Sequence, residues 1–255
     1  MTALLQAEHI AKSFGGVRAV VDASLTVEQG TITGLIGPNG AGKTTLFNIL
    51  SGTLDADGGR VRFAGEDITD RTSEHIARIG LTRTFQIARG FPSLTVLESL
   101  MLYAPDQAGD HLGTALFRPG AWRRQDRAIA SKALAVADKL RLDHVLDNLT
   151  TALSGGQKKL LEIGRALMAE PRLILLDEPV AGVNPTLSRE IADRLIELKG
   201  EGYSFLIIEH DMDTVASLCD PVYVMAEGRD LMSGSFAEVA ASRAVQDAYL
   251  GYAPA

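Results

Sequence analysis

Hydrophobic residues are distributed along the chain in two alternating patterns. Short runs rich in Ile, Leu and Val, at Thr31–Ile36, Leu173–Leu176 and Phe205–Ile208, have the length and composition of buried strands. Longer segments between these runs carry apolar residues at helical spacing. Buried strands that alternate with helices are typical of an α/β chain with a largely parallel sheet, so the sequence predicts such a core.

The N-terminal part of the chain has a different pattern. Segments near Leu4–Ile10, Val17–Val20 and Ser24–Val27 are predicted as strands joined by glycine and polar turns, and Arg60–Phe63 is a further candidate. We therefore expect a small antiparallel sheet beside the parallel core.

The middle of the chain, from about Ile87 to Met168, is dominated by helical spacing. Within it, Ala104–Arg124 contains two prolines, several glycines and Trp122, which favours an irregular excursion over a continued helix. After this excursion, five apolar residues fall on one helix face: Ile129, Ala133, Val136, Ala137 and Leu140. A helical subdomain inserted between two core strands explains this order. It divides the chain into residues 1–86 and 169–255, which form the core, and residues 87–168, which form the insertion.

The composition is that of an ordinary folded protein and argues against several classes of function. The 255 residues carry a formal net charge of −7, which is unsuited to a broad nucleic-acid-binding surface. The single cysteine, Cys219, cannot form an intramolecular disulfide, and we expect a small buried apolar residue there. The longest apolar runs have only strand length and the N-terminus lacks a signal pattern, so we expect neither export nor a membrane span.

The strongest local signal lies between the first predicted core strand and a predicted helix, where residues 37–45 match the whole P-loop pattern. Glycines in such a loop let successive backbone N–H groups turn towards a phosphate, and the helix N-terminus adds its positive dipole end. Lys43 would supply a full positive charge and Thr44 a hydroxyl for Mg²⁺. The predicted phosphate-binding residues are Gly37, Pro38, Asn39, Gly40, Ala41, Gly42, Lys43, Thr44 and Thr45.

Two carboxylates end the second core strand, in the segment Leu173–Pro179. Ligands of open α/β folds bind at this carboxyl edge of the sheet, so we expect Asp177 and Glu178 beside the P-loop. Asp177 would hold Mg²⁺ through water, and Glu178 would polarise the water that attacks the terminal phosphate. An Asp-Glu-Pro sequence alone would fit a surface turn equally well. In combination with the P-loop pattern it predicts a metal ligand and a general base.

A second candidate anion site is Leu153–Gln157, which precedes a strongly helical stretch. Ser154 is suited to cap that helix, and the N–H groups of Gly155 and Gly156 would then stay free for an anion. A capping turn without any ligand would explain the same residues. Taken alone, this segment leaves both interpretations open.

In this order, Gly37–Thr45, Leu153–Gln157 and Leu173–Pro179 resemble the P-loop, signature and Walker B motifs of ABC ATPases. The resemblance covers essentially the whole chain. It implies a P-loop NTPase (RecA-like) core with an antiparallel β-subdomain and an inserted α-helical subdomain, the α/β fold of ABC ATPases. It also implies a dimer that clamps two ATP molecules, in which each ATP held by one subunit is covered by Ser154, Gly155, Gly156 and Gln157 of the other.

The same resemblance gives roles to three residues that would otherwise be taken as ordinary structural positions. Phe14 matches the aromatic residue that stacks on adenine, and His210 matches the histidine that senses the γ-phosphate. Gln86 matches the glutamine that links the ATP site to the membrane partner. The implied catalytic residues are Lys43, Gln86, Glu178 and His210, and the implied Mg²⁺ ligands, partly through water, are Thr44, Gln86 and Asp177.

A narrower likeness rests on Val180–Pro185, where Asn184 stands in the place of the aspartate of many ABC ATPases, and on Thr84–Gln86 and Ala248–Gly251. These features, with the long excursion, resemble the ATPase subunits of branched-chain and other hydrophobic amino-acid importers. Related systems carry urea or amides. The uncharged Asn184 leaves the strength of coupling between the two ATP sites open.

The implied partners are a second ATPase subunit, identical or related, integral-membrane permease subunits and, indirectly, a solute-binding protein. The implied location is the cytoplasmic face of the bacterial inner membrane, as a peripheral subunit. One alternative is a soluble ABC ATPase that remodels DNA or ribosomes, which would usually have tandem cassettes or coiled-coil insertions. Another is a P-loop phosphotransferase, which would have no need of Leu153–Gln157.

Overall fold

The structure, a computed structural model, describes residues 2–84, 92–105, 107 and 119–250, with side chains throughout these ranges except at 119–122. The strands are β1 (Ala3–Phe14), β2 (Val17–Glu28), β3 (Ile32–Ile36), β4 (Gly58–Phe63), β5 (Glu66–Asp67), β6 (Leu81–Arg83), β7 (Leu173–Asp177), β8 (Ser204–Ile208), β9 (Val222–Ala226) and β10 (Arg229–Gly234). They form one sheet in the order β5-β4-β1-β2-β10-β9-β3-β8-β7-β6.

The described helices cover both the core and the middle of the chain. They are α1 (Lys43–Leu50), α2 (Ser73–Arg78), α3 (Val96–Leu102), α4 (Pro119–Lys139), α5 (Gly155–Leu167), α6 (Pro185–Gly200), α7 (Met212–Leu218), α8 (Phe236–Ala241) and α9 (Arg243–Leu250). Two short 3₁₀ turns, Asp143–Val145 and Thr150–Ala152, join α4 to α5. Within the described ranges, no helix is both long enough and apolar enough to cross a bilayer.

The parallel half of the sheet brings three chain segments to one edge. Strand β8 pairs in parallel with β3 on one side and with β7 on the other, and all three strands are fully buried. Because parallel strands present their carboxyl ends at the same edge, the residues after β3, β7 and β8 meet there. Asp177 stands opposite Ile208 in this register, so Glu178 and Glu209 are the first residues beyond the paired strands.

The antiparallel part follows the prediction, with one correction. Strand β1 pairs antiparallel with β2 and with β4. The segments Val17–Val20 and Ser24–Val27, predicted as two strands, are parts of the single strand β2. Asp22 interrupts the apolar pattern there, but pairing with β1 keeps the backbone extended on both sides of it. Strands β5, β6, β9 and β10 were not predicted, because these strands gain much of their stability from pairing with neighbours rather than from local pattern.

The helical middle also follows the prediction in part. The five residues expected on one face, Ile129, Ala133, Val136, Ala137 and Leu140, are all buried. The expectation of irregular structure over Ala104–Arg124 is wrong for its last part, since Pro119–Arg124 forms the start of α4. Proline is well tolerated in a first helical turn, where its missing N–H has no intrahelical acceptor. Residues 106 and 108–118 lie outside the described residues.

Cys219 lies in the core, as expected. It is 5% exposed, at the end of α7. Burial raises the pKa of its thiol to about 12, so the thiolate is not formed at neutral pH. This residue acts as a small apolar side chain.

Candidate functional site

Residues Gly37–Thr45, here called the phosphate loop, connect β3 to α1 in a conformation that only glycine tolerates at two points. Gly37 has φ 147° and Gly42 has φ 96°. A Cβ on Gly37 would collide with the carbonyl oxygen of Met225, and one on Gly42 with the carbonyl oxygen of Ala19. Strands β9 and β2 thus lie against the loop on two sides, and Gly228, in the turn between β9 and β10, donates its N–H to the Ala41 carbonyl at 3.2 Å. The backbone conformation and these close contacts therefore require glycine at positions 37 and 42.

The Lys43 side chain folds back onto the first residues of the phosphate loop. Its Nζ donates to the carbonyl oxygens of Gly37 at 2.7 Å and Pro38 at 2.9 Å, and the residue is only 6% exposed. Burial lowers the pKa of Lys43, while the negative charges of Glu178 and Asp177 oppose that shift. Gly37, Ala41 and Lys43 are buried, Pro38, Gly42 and Thr45 are half-buried, and Asn39, Gly40 and Thr44 are exposed.

The N-terminus of α1 has the electrostatics of an anion site. Its N-cap is Gly42, which makes no side-chain capping bond, and no acidic residue stands in the first turn of this helix. The positive end of the helix dipole is therefore uncompensated there by side chains. A phosphate would accept hydrogen bonds from the free backbone N–H groups at this helix end and neutralise its positive dipole end.

Asp177 lies at the end of β7, 6% exposed, and has a partner that the sequence did not suggest. Nη2 of Arg83, on the neighbouring strand β6, lies 3.1 Å from its Oδ2. The same guanidinium donates to Oδ1 of Asn48 in α1 and lies 5.7 Å from the centre of the Phe47 ring. Arg83 therefore ties the carboxylate to α1 and fixes its orientation. The only sequence signal for it was a lone arginine at the end of a short apolar segment.

Glu178 and His210, which follow two neighbouring strands, have side chains in contact. His210 Nε2 lies 2.8 Å from Oε1 of Glu178, and both side chains are partly exposed. Glu178 itself has φ 51°, a left-handed conformation that is strained in a residue with a side chain. Its N–H donates to the Ile208 carbonyl at 2.9 Å, and Lys159 Nζ donates to its carbonyl at 3.2 Å. Contacts from two other segments thus maintain this strained backbone.

Leu153–Gln157, here called the signature turn, caps α5 as predicted. Ser154 accepts a hydrogen bond from the Gln157 N–H, and the Gln157 side chain accepts one from the Ser154 N–H. The Gln157 side chain also lies 3.4 Å from Nε2 of His144. Among the described residues, no hydrogen bond joins the signature turn to the phosphate loop of the same chain. These two anion-binding candidates are separate parts of the molecule.

Asn184, the departure from the common ABC pattern, has a structural role at the start of α6. Its side chain accepts the N–H of Leu187 at 2.9 Å, so it is the N-cap of that helix. The Leu187 side chain in turn packs against Gly156 of the signature turn, where an added Cβ would collide with it. An amide oxygen caps a helix as well as a carboxylate does.

Two further predicted ligand residues have different outcomes. The Phe14 ring is 48% exposed at the tip of the β1–β2 hairpin, with Lys12 Nζ 5.8 Å from its centre. This exposure leaves its face available for stacking. Gln86 lies outside the described residues. Tyr249 in α9, which the sequence pattern does not identify, is a further residue near the loop, since burial raises the pKa of its hydroxyl and the Gly37 backbone opposes that shift.

Comparison with known proteins agrees with this geometry. Residues 20–181 match the family model described as ABC transporter. The chain is 42% identical over 248 residues, 97% of this chain and 95% of its relative, to a probable branched-chain amino acid transport ATP-binding protein, LivG, of Archaeoglobus fulgidus.

Solved structures agree as well. A nucleotide-free ATP-binding cassette from an ABC transporter superposes with a TM-score of 0.86 at 38% identity, covering 97% of this chain and 99% of that one. The ADP conformation of an ATP-binding cassette superposes with a TM-score of 0.84 at 37% identity, covering 98% and 100%. The chain belongs to the ABC transporter family, in which it is an ATP-binding cassette and an ATPase.

Proposed function

We propose that this chain powers an importer for branched-chain or other hydrophobic amino acids, with amides or urea as the related class of cargo. The support is the name and near full-length match of the LivG relative, together with the Asn184 variant and the Ala248–Gly251 terminus. In this proposal the cassette binds ATP and a separate permease carries the solute.

The residues around the phosphate loop have the chemistry required for Mg·ATP. Mg²⁺ prefers hard oxygen ligands, and the Thr44 hydroxyl and the buried Asp177 carboxylate are of that kind. Bound Mg²⁺ would supply positive charge beside the terminal phosphates. Lys43 and the N–H groups of the loop would hold the phosphates, and Phe14 would stack on adenine.

Hydrolysis in this proposal depends on the contact between Glu178 and His210. The carboxylate of Glu178 would accept a proton from the attacking water, and His210, 2.8 Å away, would orient that carboxylate. Arg83 would hold Asp177 in one orientation during the same step. The single observation that carries this assignment is that the phosphate loop, Asp177–Glu178 and His210 follow three adjacent parallel strands, β3, β7 and β8.

We further propose that two cassettes, identical or related, close around two ATP molecules. Each signature turn makes its hydrogen bonds within its own segment and with His144. The N–H groups of Gly155 and Gly156 at the start of α5 would then bind the ATP held by the partner's phosphate loop. ATP would favour the closed dimer over the open form, and hydrolysis would reverse that preference.

Closure would be passed to permease subunits through the segment after β6, which contains Gln86. Residues 87–168 would act as a helical subdomain that moves against a core formed by residues 1–86 and 169–255. The cassette would work at the cytoplasmic face of the plasma membrane as a peripheral subunit, and a solute-binding protein would deliver the cargo to the permease.

The variant Glu178→Gln tests the clamp. It keeps the binding groups but removes the base, so we expect hydrolysis to fall at least ~100-fold while Mg·ATP stabilises a dimer. Size-exclusion chromatography with light scattering measures the dimer. Glu74→Gln, at an exposed residue paired with Arg78 in α2, is the matched control and should hydrolyse ATP normally. A variant that stays monomeric at saturating Mg·ATP would contradict the clamp.

The cargo is tested in source cells whose chromosomal gene carries Glu178→Gln, by uptake of labelled leucine, other amino acids and urea. Loss of leucine uptake with normal urea uptake is the expected result, and the Glu74→Gln strain should take up both. Unchanged uptake of all solutes would contradict the import proposal. Transfer of phosphate from ATP to a small acceptor by the purified protein would instead identify a phosphotransferase.

A further inference from the structure

A buried carboxylate behind the hydrolytic residues has no role in the proposed function. Glu209 is the first residue after β8 and is only 3% exposed. Carboxylates are rarely so buried unless their oxygens are fully hydrogen-bonded, because desolvation penalises the charge. Burial raises the pKa of Glu209, and the nearby Glu178 charge raises it further. A glutamate kept at such a position requires a reason.

The partners of Glu209 are backbone N–H groups from two different chain segments. Oε1 accepts the N–H of Val180 at 3.0 Å, and that residue is 5% exposed in the core. Oε2 accepts the N–H of His210 at 3.0 Å and, at the longer distance of 3.5 Å, that of Asp211. One side chain therefore joins the segment that follows β7 to the segment that follows β8.

Both joined segments carry a residue proposed for hydrolysis. Val180 lies two residues beyond Glu178, whose left-handed backbone needs external support. His210 directly follows Glu209 and contacts the Glu178 side chain. The bonds of Glu209 thus close a ring that runs from Glu178 through Val180 and Glu209 to His210 and back to Glu178.

We propose that Glu209 is a positioning residue that sets the distance between Glu178 and His210 by holding their two backbones together. This inference rests on the roles proposed above for Glu178 and His210. Glu209 touches neither the nucleotide nor the attacking water in this scheme. It acts through the geometry of the other two residues, so its loss should affect the hydrolytic step more than nucleotide binding.

The variant Glu209→Gln tests the proposal with little change in volume. Its amide has one oxygen, so it can accept from only one of the two segments and presents N–H groups to the other. We expect kcat to fall about 10-fold or more, by the sensitivity of catalysis to small displacements, while KM for ATP changes less than about 2-fold. Glu238→Gln is the matched control, because Glu238 in α8 also accepts a backbone N–H, from the N-cap residue Ser235.

A second readout observes the two connections directly. Hydrogen exchange should become faster at the amides of Val180, His210 and Asp211 in Glu209→Gln, and stay unchanged there in Glu238→Gln. Glu209→Asp distinguishes the connection to Val180 from the connection to His210 and Asp211. Its shorter side chain should still reach the amides of its own turn but not the N–H of Val180. In that variant we expect faster exchange at Val180 alone, with an intermediate kcat.

The outcomes distinguish this inference from the function on which it rests. Unchanged kcat in Glu209→Gln, or an equal loss of kcat, ATP binding and thermal stability, would overturn the positioning role while leaving the proposed roles of Glu178 and His210 in place. Normal hydrolysis by Glu178→Gln or His210→Ala would overturn those roles and the inference with them. A selective loss of kcat with faster exchange on both sides of Glu209 would support it.

Discussion

The N-termini of α1 and α5 both follow or begin in glycine-containing turns, but they are capped in different ways. At α1 the N-cap is Gly42, which makes no side-chain capping bond, and a buried lysine folds over the loop. At α5 the N-cap is Ser154, which forms a reciprocal capping box with Gln157. The first helix end depends on backbone shape and a charge, the second on its own side chains.

The different capping of the two helix ends suits the α1 end to bind an anion within one chain and the α5 end to bind one only in a dimer. The phosphate loop is packed between β2 and the β9–β10 turn, so its shape is set by the fold of one chain. The signature turn makes its capping bonds within its own segment and makes no hydrogen bond to that loop among the described residues. A self-capped end that still offers the N–H groups of its first turn suits a surface that meets its ligand only when a second subunit arrives.

The largest loss of both stability and ATP affinity should come from an alanine at Gly42. Its φ of 96° and the carbonyl of Ala19 leave no room for a Cβ, so the loop must move or the fold must loosen. We expect a loss of about 2 kcal/mol or more in unfolding free energy, and ATP affinity reduced at least ~10-fold. Urea unfolding and titration with a fluorescent ATP analogue measure the two quantities.

The same substitution at Gly155 is the matched control for that comparison. A Cβ there meets only the Val183 side chain, at 3.9 Å, which is ordinary contact. Gly155→Ala should therefore fold and bind ATP as the unsubstituted chain does. If it lost ATP affinity in the monomer as severely as Gly42→Ala, the two helix ends would not be separate sites.

The second prediction concerns the role of the signature turn in the dimer. Ser154→Arg places bulk and positive charge where the partner's phosphates would bind, so we expect hydrolysis to fall at least ~100-fold, with ATP affinity of the isolated subunit within about 2-fold. Steady-state hydrolysis and the same ATP titration provide both numbers. Full hydrolysis by this variant would contradict the arrangement in which each signature turn covers the partner's ATP.

The functional residues at the two helix ends can be recognised from the sequence, whereas the contacts of Arg83 and Glu209 cannot. Lys43 and Ser154 act within a few residues of their own position, so a local pattern identifies them. Arg83 contacts Asp177 across 94 positions, and Glu209 contacts Val180 across 29. Those contacts depend on β6 lying beside β7 and on β8 lying between β3 and β7. Strand order of this kind results from tertiary packing and is not encoded in any one segment.

The smallest expected effect is that of Ser154→Ala, a variant that distinguishes capping from ligand binding at the signature turn. Ser154→Ala removes the hydroxyl that accepts the Gln157 N–H, and loss of such a cap costs about 1 kcal/mol. We expect a slightly lower thermal unfolding midpoint without nucleotide, because the N–H of Gln157 loses its side-chain acceptor at the start of α5. Addition of Mg·ATP should stabilise Ser154→Ala less than it stabilises the unsubstituted chain if the hydroxyl also contacts the partner's phosphates. An equal gain in both proteins would limit Ser154 to capping and assign the phosphate contacts to the backbone N–H groups of Gly155 and Gly156.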